Sequence, residues 1–256
     1  MLALTRKNRI RDIIGEQKSV TVIELADKFK VTEETIRRDL KSLEDSGVLI
    51  RTYGGAYLNE ESFYTGKPNP VSEISNERLE KLCEHCLDLI DDGDSLMLDS
   101  SQEALCLCGK LKNKRLNVIT DSLLVASALA DCEGIQVIST GGYYNKETSS
   151  FTGKVAQQVL SGYYADKVFL SCTSLDTEFG ISERHEDVAA MRLLMTSRAK
   201  TVYLLADHDK FGEVSLFSVC GFDRIHAVAT HCGLSSDWQD FFVENDIELI
   251  ECPAFL

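Results

Sequence analysis

Three cationic side chains near the start of the sequence have the types and spacing needed to bind nucleic acid. Arg37, Arg38 and Lys41 occur in the run TIRRDLKSL, and at 100° per residue they fall on one side of a predicted helix, opposite its isoleucine and leucines. An arginine can donate two parallel hydrogen bonds to a guanine edge or a phosphate, which a lysine cannot. Glu33 and Glu34 precede the arginines by three or four residues, so the same spacing also fits a solvent-exposed helix with ion pairs.

The elements that would position these cations are two short helices joined by a tight turn. The first helix is predicted over TVIELADKF, where Thr21 can act as the N-cap and Glu24 completes a capping box. Thr32 can cap the second helix, and an earlier amphipathic helix is predicted to end at Gly15. Two helices of these lengths match a helix-turn-helix, whose second helix enters the major groove of DNA.

A short β-hairpin is predicted directly after these helices. Gly47 is a stop signal for the preceding helix, VLIRTY and AYL have strand character, and Gly54 and Gly55 between them allow a tight turn. Such a hairpin would be the wing of a winged helix, with Arg51 and the glycine N–H groups on phosphates while the helix contacts bases. The alternative is a plain β-linker to the next domain.

The DNA-binding domain also predicts how the chain is assembled. One winged helix buries too little surface to select a single operator in a genome. We therefore expect a homo-oligomer, a dimer or a tetramer, that places two recognition helices on repeated half-sites of double-stranded operator DNA.

The charge of the chain is distributed unevenly between its two parts. Residues 1–58 contain 11 Lys and Arg against 9 Asp and Glu, a net charge of +2, whereas the whole 256-residue chain has −14 and residues 59–256 therefore have −16. The mildly basic part can approach a polyanion that the acidic part would repel. Nine cysteines without framework spacing favour reduced thiols, and no apolar run reaches 18 residues. We therefore expect a cytoplasmic protein with no membrane segment, cofactor or bound metal.

A change of composition marks the boundary between two predicted domains. The run NEESFYTGKPNPV contains two of the three prolines and little periodicity, so residues 59–72 are predicted to link a mainly α winged helix-turn-helix domain, 1–58, to a second domain, 73–256. In the second domain, near-continuous apolar strands alternate with helices. This pattern predicts a multidomain chain whose second part is an α/β fold with a mainly parallel sheet and helices on both faces.

Polar residues follow five of the predicted strands, at the carboxyl ends where ligands of such sheets bind. Their hydroxyl and N–H groups suit an oxyanion, and one lysine adds a full positive charge. The candidate ligand-binding residues are Asp99, Ser100, Ser101, Gln102, Glu103, Thr120, Asp121, Ser122, Gly141, Gly142, Ser171, Thr173, Asp207 and Lys210. Taken singly, each also fits a helix cap or a turn.

Two sets of motifs resemble one family of regulators. The run from Arg9 to Ala56, above all TIRRDL and the terminal GGA, resembles the DNA-binding domain of DeoR-family bacterial transcriptional regulators. The runs DDGDSLMLDSS, VITDS, STGG and LADHDKFG resemble landmarks of the family's C-terminal domain, which is similar to ribose-5-phosphate isomerase and senses phosphorylated sugars. The resemblance implies that Thr35, Arg37 and Arg38 contact operator DNA. It also implies a repressor of a sugar or related catabolic operon, released from its operator by a small carbohydrate-derived effector.

The chain departs from the family pattern in the loop after the first strand of the second domain. The family commonly has Asp-x-Gly-Thr-Thr there, whereas residues 99–103 read DSSQE, and Asp121 replaces the usual asparagine after the second strand. An ionised Glu103 about 4 Å from an effector phosphate would repel it by roughly 1 to 4 kcal/mol. We hypothesise a differently charged effector, or a phosphate displaced towards Lys210. The alternative is that Glu103 points away, as an acid favoured at a helix start.

Two other functions fit parts of the sequence. A sugar isomerase would use Asp99 or Glu103 as its base, but it would leave the N-terminal helices without a role, and the family resemblance implies that the activity has been lost. A thiol or metal sensor is suggested by the runs CEHC and CLC. However, Cys83 and Cys86 share a helix face with leucines, where thiols commonly act as small buried hydrophobes, and His85 points away from them.

Overall fold

The computed structural model describes residues 6, 7, 9, 10, 13, 14, 18–45, 49–52, 54–58, 73–231 and 233–252. Within the chain, residues 1–77 and residues 78–256 form two compact units. The predicted linker 59–72 and the predicted helix ends at Gly15 and Gly47 lie outside the described residues. The domain boundaries at residues 58 and 73 therefore stay a prediction.

The N-terminal unit combines helices with a three-stranded antiparallel sheet. Its elements are β1 Ser19–Thr21, α1 Val22–Phe29, α2 Glu33–Asp45, β2 Leu49–Arg51 and β3 Gly55–Leu58, and the described residues between 6 and 14 are helical as well. The sheet has the order β1-β3-β2. The two predicted helices and the predicted hairpin are confirmed, whereas β1 is an additional strand of three residues, too short to show a pattern in the sequence.

Local hydrogen bonds explain where α1 begins and ends. Thr21 Oγ1 accepts a hydrogen bond from the Glu24 N–H at 3.2 Å, and Glu24 Oε2 accepts one from the Thr21 N–H at 3.1 Å, so the predicted capping box is present. Lys30 ends the helix in the left-handed conformation, with φ 53°. At the start of α2, Thr32 Oγ1 accepts a hydrogen bond from the Thr35 N–H at 3.3 Å. The turn between the two helices is thereby held at both ends.

The apolar sides of these helices meet in a buried core. Ile36 and Leu40 of α2 are at most 1% exposed, and they pack with Ile10, Ile14 and Leu25. Each such side chain stabilises the fold by about 1.5–3 kcal/mol relative to an exposed one. Because the apolar residues of α2 face this core, its arginines are left on the solvent side.

The second unit contains an α/β domain with a seven-stranded sheet. The strands are β4 Ser95–Leu98, β5 Leu116–Thr120, β6 Ile135–Ser139, β7 Tyr143–Asn145, β8 Ser150–Thr152, β9 Ala165–Leu170, β10 Ser174–Asp176, β11 Gly180–Glu183, β12 Ala199–Leu205, β13 Phe217–Cys220, β14 Ala227–His231 and β15 Glu248–Cys252. The helices from residue 73 onward are α3 Glu73–Leu87, α4 Gln102–Leu111, α5 Leu123–Leu129, α6 Gly153–Ser161, α7 Glu186–Arg198 and α8 Ser236–Glu244. The main sheet has the order β15-β14-β12-β9-β4-β5-β6, and all its pairings are parallel.

Helices cover both faces of this sheet, which confirms the predicted fold class. On one face, Met97 and Val168 pack with residues of α6, α7 and α8. On the other face, Leu98 and Phe169 pack with residues of α3, α4 and α5. Because strand side chains alternate between faces, strands buried on both sides have to be apolar throughout, and this is the pattern in the sequence.

The strand order reverses next to β4. Strands β5 and β6 follow on one side of β4, whereas β9 lies on its other side and is followed outward by β12, β14 and β15. The connections after β4 and β9 therefore leave the sheet in opposite directions. Parallel sheets bind ligands at such a switch point, in the crevice beyond the carboxyl ends of the strands.

Three features of this unit, a hairpin, a small sheet and a helix, are not predicted by the sequence pattern. Strands β7 and β8 form an antiparallel hairpin, β10, β11 and β13 form a small antiparallel sheet, and α8 precedes β15. The hairpin is fastened to the end of β5, because the Phe151 N–H donates a hydrogen bond to the Asp121 carbonyl at 2.7 Å. Among the helices of the described residues, none has the length and apolar character needed to span a membrane.

Candidate functional site

The predicted DNA-contacting residues of α2 lie on its solvent side. Arg37, Arg38 and Lys41 are exposed, while Thr35 is half-buried, with its hydroxyl 2.9 Å from that of Thr32. Arg37 Nη2 lies 3.2 Å from Glu33 Oε2, as the i,i+4 spacing allows. An exposed pair of this kind contributes about 0.3–0.5 kcal/mol. A phosphate or base can therefore replace the glutamate at little cost.

The hairpin places Arg51 beside the C-terminal end of α2. Its Nε lies 2.6 Å from Glu44 Oε2, and its backbone N–H donates to Glu44 Oε1 at 3.1 Å. The side-chain and backbone hydrogen bonds from Arg51 hold the pKa of Glu44 below its usual value. Glu44 thereby fastens β2 to the recognition helix and keeps the predicted wing next to it.

The two glycines of the hairpin have different surroundings. Gly54 is exposed, and nothing described lies within 4 Å of where its side chain would start. Gly55 is buried, and a Cβ there would lie 2.0 Å from the Val20 carbonyl oxygen. The close approach of β3 to β1 therefore requires glycine at 55, a reason that the sequence pattern does not show. The predicted phosphate contacts of both glycines stay a prediction.

A buried ion pair fixes α2 within its unit. Arg6 Nε lies 2.6 Å from Asp39 Oδ2, and both side chains are less than a tenth exposed. Lys7 Nζ adds a hydrogen bond to Ser42 Oγ at 2.8 Å. Removing one partner of a buried pair costs about 3–5 kcal/mol, because the other charge is left without compensation. Sequence reasoning missed this pair, because both residues look like ordinary charges on helix surfaces.

In the α/β domain, the carboxylate of Asp99 joins the loops after β4 and β9. It accepts hydrogen bonds from the Ser101 N–H at 3.1 Å, the Ser101 hydroxyl at 2.5 Å and the Ser171 N–H at 3.0 Å. Arg192 Nε donates to it at 2.8 Å. The loops after β4 and β9 therefore meet at Asp99, at the switch point of the sheet.

Arg192 of α7 is buried between two carboxylates. It contacts Asp99 and also Glu183, the last residue of β11. Glu183 accepts further hydrogen bonds from the N–H and the hydroxyl of Thr173, both at 2.7 Å. Burial alone would lower the pKa of Arg192, but the charges of Glu183 and Asp99 raise it. Sequence reasoning missed Glu183 and Arg192; the available signal was a charged residue within the apolar runs GISE and AAMRLLM.

Glu103 and Lys210 form an ion pair beyond the ends of β4 and β12. Lys210 Nζ lies 2.5 Å from Glu103 Oε1 and 2.6 Å from Ser171 Oγ. Burial raises the pKa of Glu103, but the charge and hydrogen bond of Lys210 outweigh this effect and hold that pKa below its usual value. Burial lowers the pKa of Lys210, and the charge of Glu103 more than reverses this. Both groups are therefore charged at neutral pH.

This pair bears on both interpretations of Glu103. The carboxylate turns towards the carboxyl edge of the sheet and not away from it. It also neutralises Lys210, the cation to which a displaced phosphate was expected to move. The roles of both residues in ligand binding stay a prediction.

Three buried polar side chains at the ends of β5, β6 and β8 have no hydrogen-bond partner within the described part of the chain. They are Asp121, through Oδ1, Thr140 and Thr152, each at most 2% exposed. Burial and, second, the negative charge of Asp99 raise the pKa of Asp121 to about 8. Asp121 is therefore mostly protonated at pH 7, and its O–H can donate a hydrogen bond. Sequence reasoning missed Thr140 and Thr152.

Several of the predicted ligand-binding residues form helix caps and turns. This is the alternative that the sequence left open for each of them taken singly. The Ser122 N–H donates to Thr120 Oγ1 at 3.0 Å, and the Val125 N–H donates to Ser122 Oγ at 3.2 Å. The Ala104 N–H donates to Ser101 Oγ at 3.1 Å, and the His208 N–H donates to Asp207 Oδ1 at 2.8 Å. Ser100 is half-buried and Gln102 is exposed. The caps explain why hydroxyls occur in these loops, and the ligand contacts of these residues stay a prediction.

Two glycines follow β6, and the packing of the β7–β8 hairpin requires the second of them, Gly142, whereas a Cβ at Gly141 would have no neighbour within 4 Å among the described residues. Gly141 and Gly142 have positive φ, 56° and 108°. A Cβ at position 142 would lie 2.8 Å from the Thr152 carbonyl oxygen and 3.1 Å from the Ala156 nitrogen. The absence of side chains here lets the hairpin and the start of α6 close over the end of β6.

The thiols of the CEHC and CLC runs are part of the core. Cys83, Cys86 and Cys108 are buried, and burial raises the pKa of Cys86 and of Cys108 to about 12. At pH 7 such thiols are not thiolates, the form that binds metal or reacts. Among the residues that the structure describes, no group of three or more His, Cys, Asp or Glu side chains could hold a metal ion. His85 is exposed and contacts the Lys81 carbonyl at 2.9 Å.

Both units match one family of regulators. Residues 6–62 match the DeoR-like helix-turn-helix domain, and residues 75–231 match the DeoR C terminal sensor domain. The chain belongs to the DeoR family. The matched ranges include the winged helix and the strand ends from β4 to β14, so the predicted family resemblance is confirmed.

Relatives of this DeoR-family chain are similar over nearly their whole length. It is 34% identical over 239 residues to the uncharacterized HTH-type transcriptional regulator YulB of Bacillus subtilis, with 91% of each chain covered. It is 29% identical to the putative aga operon transcriptional repressor of Escherichia coli O157:H7, covering 96% of this chain and 92% of that one. It is 27% identical to the L-fucose operon activator of Haemophilus influenzae, covering 94% and 97%. These relatives are transcriptional regulators, so the chain is a DNA-binding regulator and not an enzyme.

Solved structures add a partial likeness of fold. The ribose 5-phosphate isomerase A of Methanocaldococcus jannaschii has a TM-score of 0.40 and 14% identity, covering 54% of this chain and 55% of that one. A likeness of this size says nothing about activity. The alternative of a sugar isomerase is therefore set aside on the family match.

Proposed function

We propose that this DeoR-family regulator represses a carbohydrate catabolic operon and is released from its operator by a carbohydrate-derived effector bound at the carboxyl edge of the parallel sheet. One observation supports the effector site most directly: Asp121 Oδ1 and the hydroxyls of Thr140 and Thr152 are buried and have no hydrogen-bond partner among the described residues. Buried polar groups are nearly always hydrogen-bonded, so three unpaired groups beside a switch point indicate a polar ligand.

The operator is bound by the N-terminal unit in this proposal. Arg37 and Arg38 reach base edges in the major groove, with Thr35 and Lys41 beside them. Arg51 and the hairpin glycines lie on the phosphate backbone, where contacts fix the register but do not select sequence. The exposure of the α2 cations and the attachment of the hairpin to α2 support this arrangement.

Two features of the proposal come from relatives and from general arguments. The L-fucose operon activator is named for a sugar operon and the aga operon protein for repression, which supports the carbohydrate class and the repressor role. A dimer or tetramer is proposed because a single winged helix selects too few base pairs for a genome.

The test is an electrophoretic mobility shift experiment with the full chain. Promoter fragments from the neighbourhood of its own gene are screened with and without a panel of sugars and sugar phosphates. We expect one retarded fragment, released by one member of the panel, and no retardation by the Arg37→Ala, Arg38→Ala double variant. Retardation that no carbohydrate changes would contradict the effector class, and the absence of any retarded fragment would contradict operator binding at these promoters.

A further inference from the structure

We propose that the effector site selects an uncharged polyhydroxyl compound, an unphosphorylated sugar or sugar alcohol, and that Asp121 donates a hydrogen bond to one of its oxygens together with contacts from Thr140 and Thr152. This inference rests on the proposed carbohydrate-controlled function and specifies its ligand.

Among the described residues that contact Asp99, Glu183 and Glu103, both cations are already paired with carboxylates. Arg192 contacts Asp99 and Glu183, and Lys210 contacts Glu103, so these two cations face three carboxylates. The sum is −1, while the protonated Asp121 adds no charge at pH 7. A phosphate dianion would therefore meet a net negative site in a buried environment, where charge repulsion is strongest.

The backbone N–H groups that could hold a phosphate are also engaged by the protein. Ser101 and Ser171 donate theirs to Asp99, at 3.1 and 3.0 Å. Thr173 donates its N–H to Glu183 at 2.7 Å, and Ala104 donates its N–H to the Ser101 hydroxyl at 3.1 Å. Anion sites at helix starts depend on such donors being available to the ligand. Here the internal carboxylates take the place of an external anion.

The unpaired groups, by contrast, suit hydroxyls. Strand β5 is in register with β6 from Leu116↔Ile135 to Thr120↔Ser139, and one step further the register pairs Asp121 with Thr140 on the same face of the sheet. Thr152 directly follows Phe151, whose N–H donates a hydrogen bond to the Asp121 carbonyl, so the β7–β8 hairpin brings the backbone of Thr152 to the end of β5. A protonated carboxyl and two hydroxyls can each donate or accept, as a polyol requires.

The two ends of the site lie on different faces of the sheet. Side chains along β4, β5 and β6 alternate between the two faces of the sheet. Continued by one residue beyond each strand, this alternation puts Asp99, Asp121 and Thr140 on the face covered by α6 and α7. Glu103, at the start of α4, belongs to the helices of the other face, and Ser171 connects the two by donating its N–H to Asp99 and contacting Lys210 through Oγ. Neighbouring strands are about 4.8 Å apart, so the ends of β4, β5 and β6 form a row about 10 Å long, which one monosaccharide can bridge.

The groups around Asp121 are few, and they determine its response to pH. Asp99 from the loop after β4 favours the protonated form, and Arg192 from α7 opposes it. The neighbours from β6 and the hairpin, Thr140 and Thr152, do not titrate. Because burial dominates, the proton is held until about pH 8, and effector binding should weaken above that pH.

The experiment is calorimetry of the full chain with hexoses, pentoses and sugar alcohols, each compared with its phosphate, followed by operator release with any compound that binds. The variants are Asp121→Ala and Thr152→Val, each of which removes the polar atoms of one side chain. The matched control is Thr230→Val, another buried hydroxyl without a partner in the described protein, on β14 and away from β5. Glu103→Gln tests the charge argument, because it leaves Lys210 without its counter-ion.

We expect an uncharged compound to bind, with affinity at least about tenfold lower in Asp121→Ala and Thr152→Val and unchanged in Thr230→Val. Glu103→Gln should raise the affinity for the matching phosphate by about tenfold or more relative to the wild type, and an unchanged affinity for that phosphate would contradict the charge argument. Binding of phosphates alone to the wild type would overturn the inference and leave the proposed function standing. If neither class binds or changes operator binding, the carbohydrate-controlled function fails as well.

Discussion

Replacing Asp121 with asparagine should stabilise the folded protein at neutral pH, because the carboxyl is buried and held neutral. Its pKa rises from 3.8 to about 8 on folding. The folded state therefore keeps a proton that the unfolded chain releases, and the free energy of unfolding falls by about 1.4 kcal/mol per pH unit between pH 4 and 8. At pH 7 this loss is on the order of 4 kcal/mol.

Asparagine has a similar volume and no charge to suppress, so it avoids this loss, although burying its unpaired amide costs about 1–3 kcal/mol. The expected net gain is about 1–3 kcal/mol at pH 7, larger at pH 8 and reversed near pH 4, where the wild-type carboxyl is protonated in both states. The sign follows from the raised pKa: stability from the neutral carboxyl is complete at low pH and declines as pH rises towards 8.

The assay is urea unfolding at pH 5, 6, 7 and 8, monitored by the fluorescence of the single tryptophan. Trp238 lies in α8, within the aromatic cluster of the α/β domain, so the signal reports the unit that contains Asp121. Asp131→Asn, at an exposed position, is the control and should change the free energy of unfolding by less than about 0.5 kcal/mol. A difference between wild type and Asp121→Asn that stays constant across these pH values would refute the reasoning.

Three further predictions concern the N-terminal unit and the hairpin. Arg37→Ala should weaken operator binding by about 1–3 kcal/mol and relax sequence choice, measured by fluorescence anisotropy; an equal loss on all sequences would make it a phosphate contact. Asp39→Ala should lower the stability of the N-terminal unit by about 3–5 kcal/mol, measured by thermal unfolding of the N-terminal helices, and an effect below about 1 kcal/mol would show that the pair is exposed. Gly142→Ala should destabilise the α/β domain by about 1–3 kcal/mol more than Gly93→Ala, which has positive φ but no close neighbour among the described residues; equal effects would mean that conformation alone matters.

The parts of the fold that follow from local pattern were predictable. The capping box of Thr21 and Glu24 and the apolar side of α2 depend on residues three or four apart, which the sequence shows directly. The strands of the parallel sheet are apolar throughout because both faces are covered, and this too is visible. Four strands of three residues, β1, β7, β8 and β10, were not predicted, because so short a run has no measurable period. Strand β2 is equally short but was predicted from the longer run VLIRTY and the glycines that follow it.

The loops of the candidate site were predictable, but the contacts within them were not. The carboxyl ends of parallel strands meet at one edge, so Asp99 and Asp121 were expected to be neighbours. Their partners come from distant positions: Lys210 is 107 residues from Glu103, and Arg192 is 93 residues from Asp99. No local spacing encodes such pairs, so the sequence could not show that Glu103 lies beside a lysine.

The most direct test measures operator affinity for the full chain and for Asp121→Ala, with and without the carbohydrate that releases the operator in the mobility shift screen. Fluorescence anisotropy of the labelled promoter fragment gives both affinities under one salt condition. The account predicts that the two proteins bind the fragment equally in the absence of carbohydrate, and that only the wild type loses at least about tenfold in affinity when it is added. If Asp121→Ala responds to the carbohydrate as fully as the wild type does, the effector does not act through this edge of the sheet.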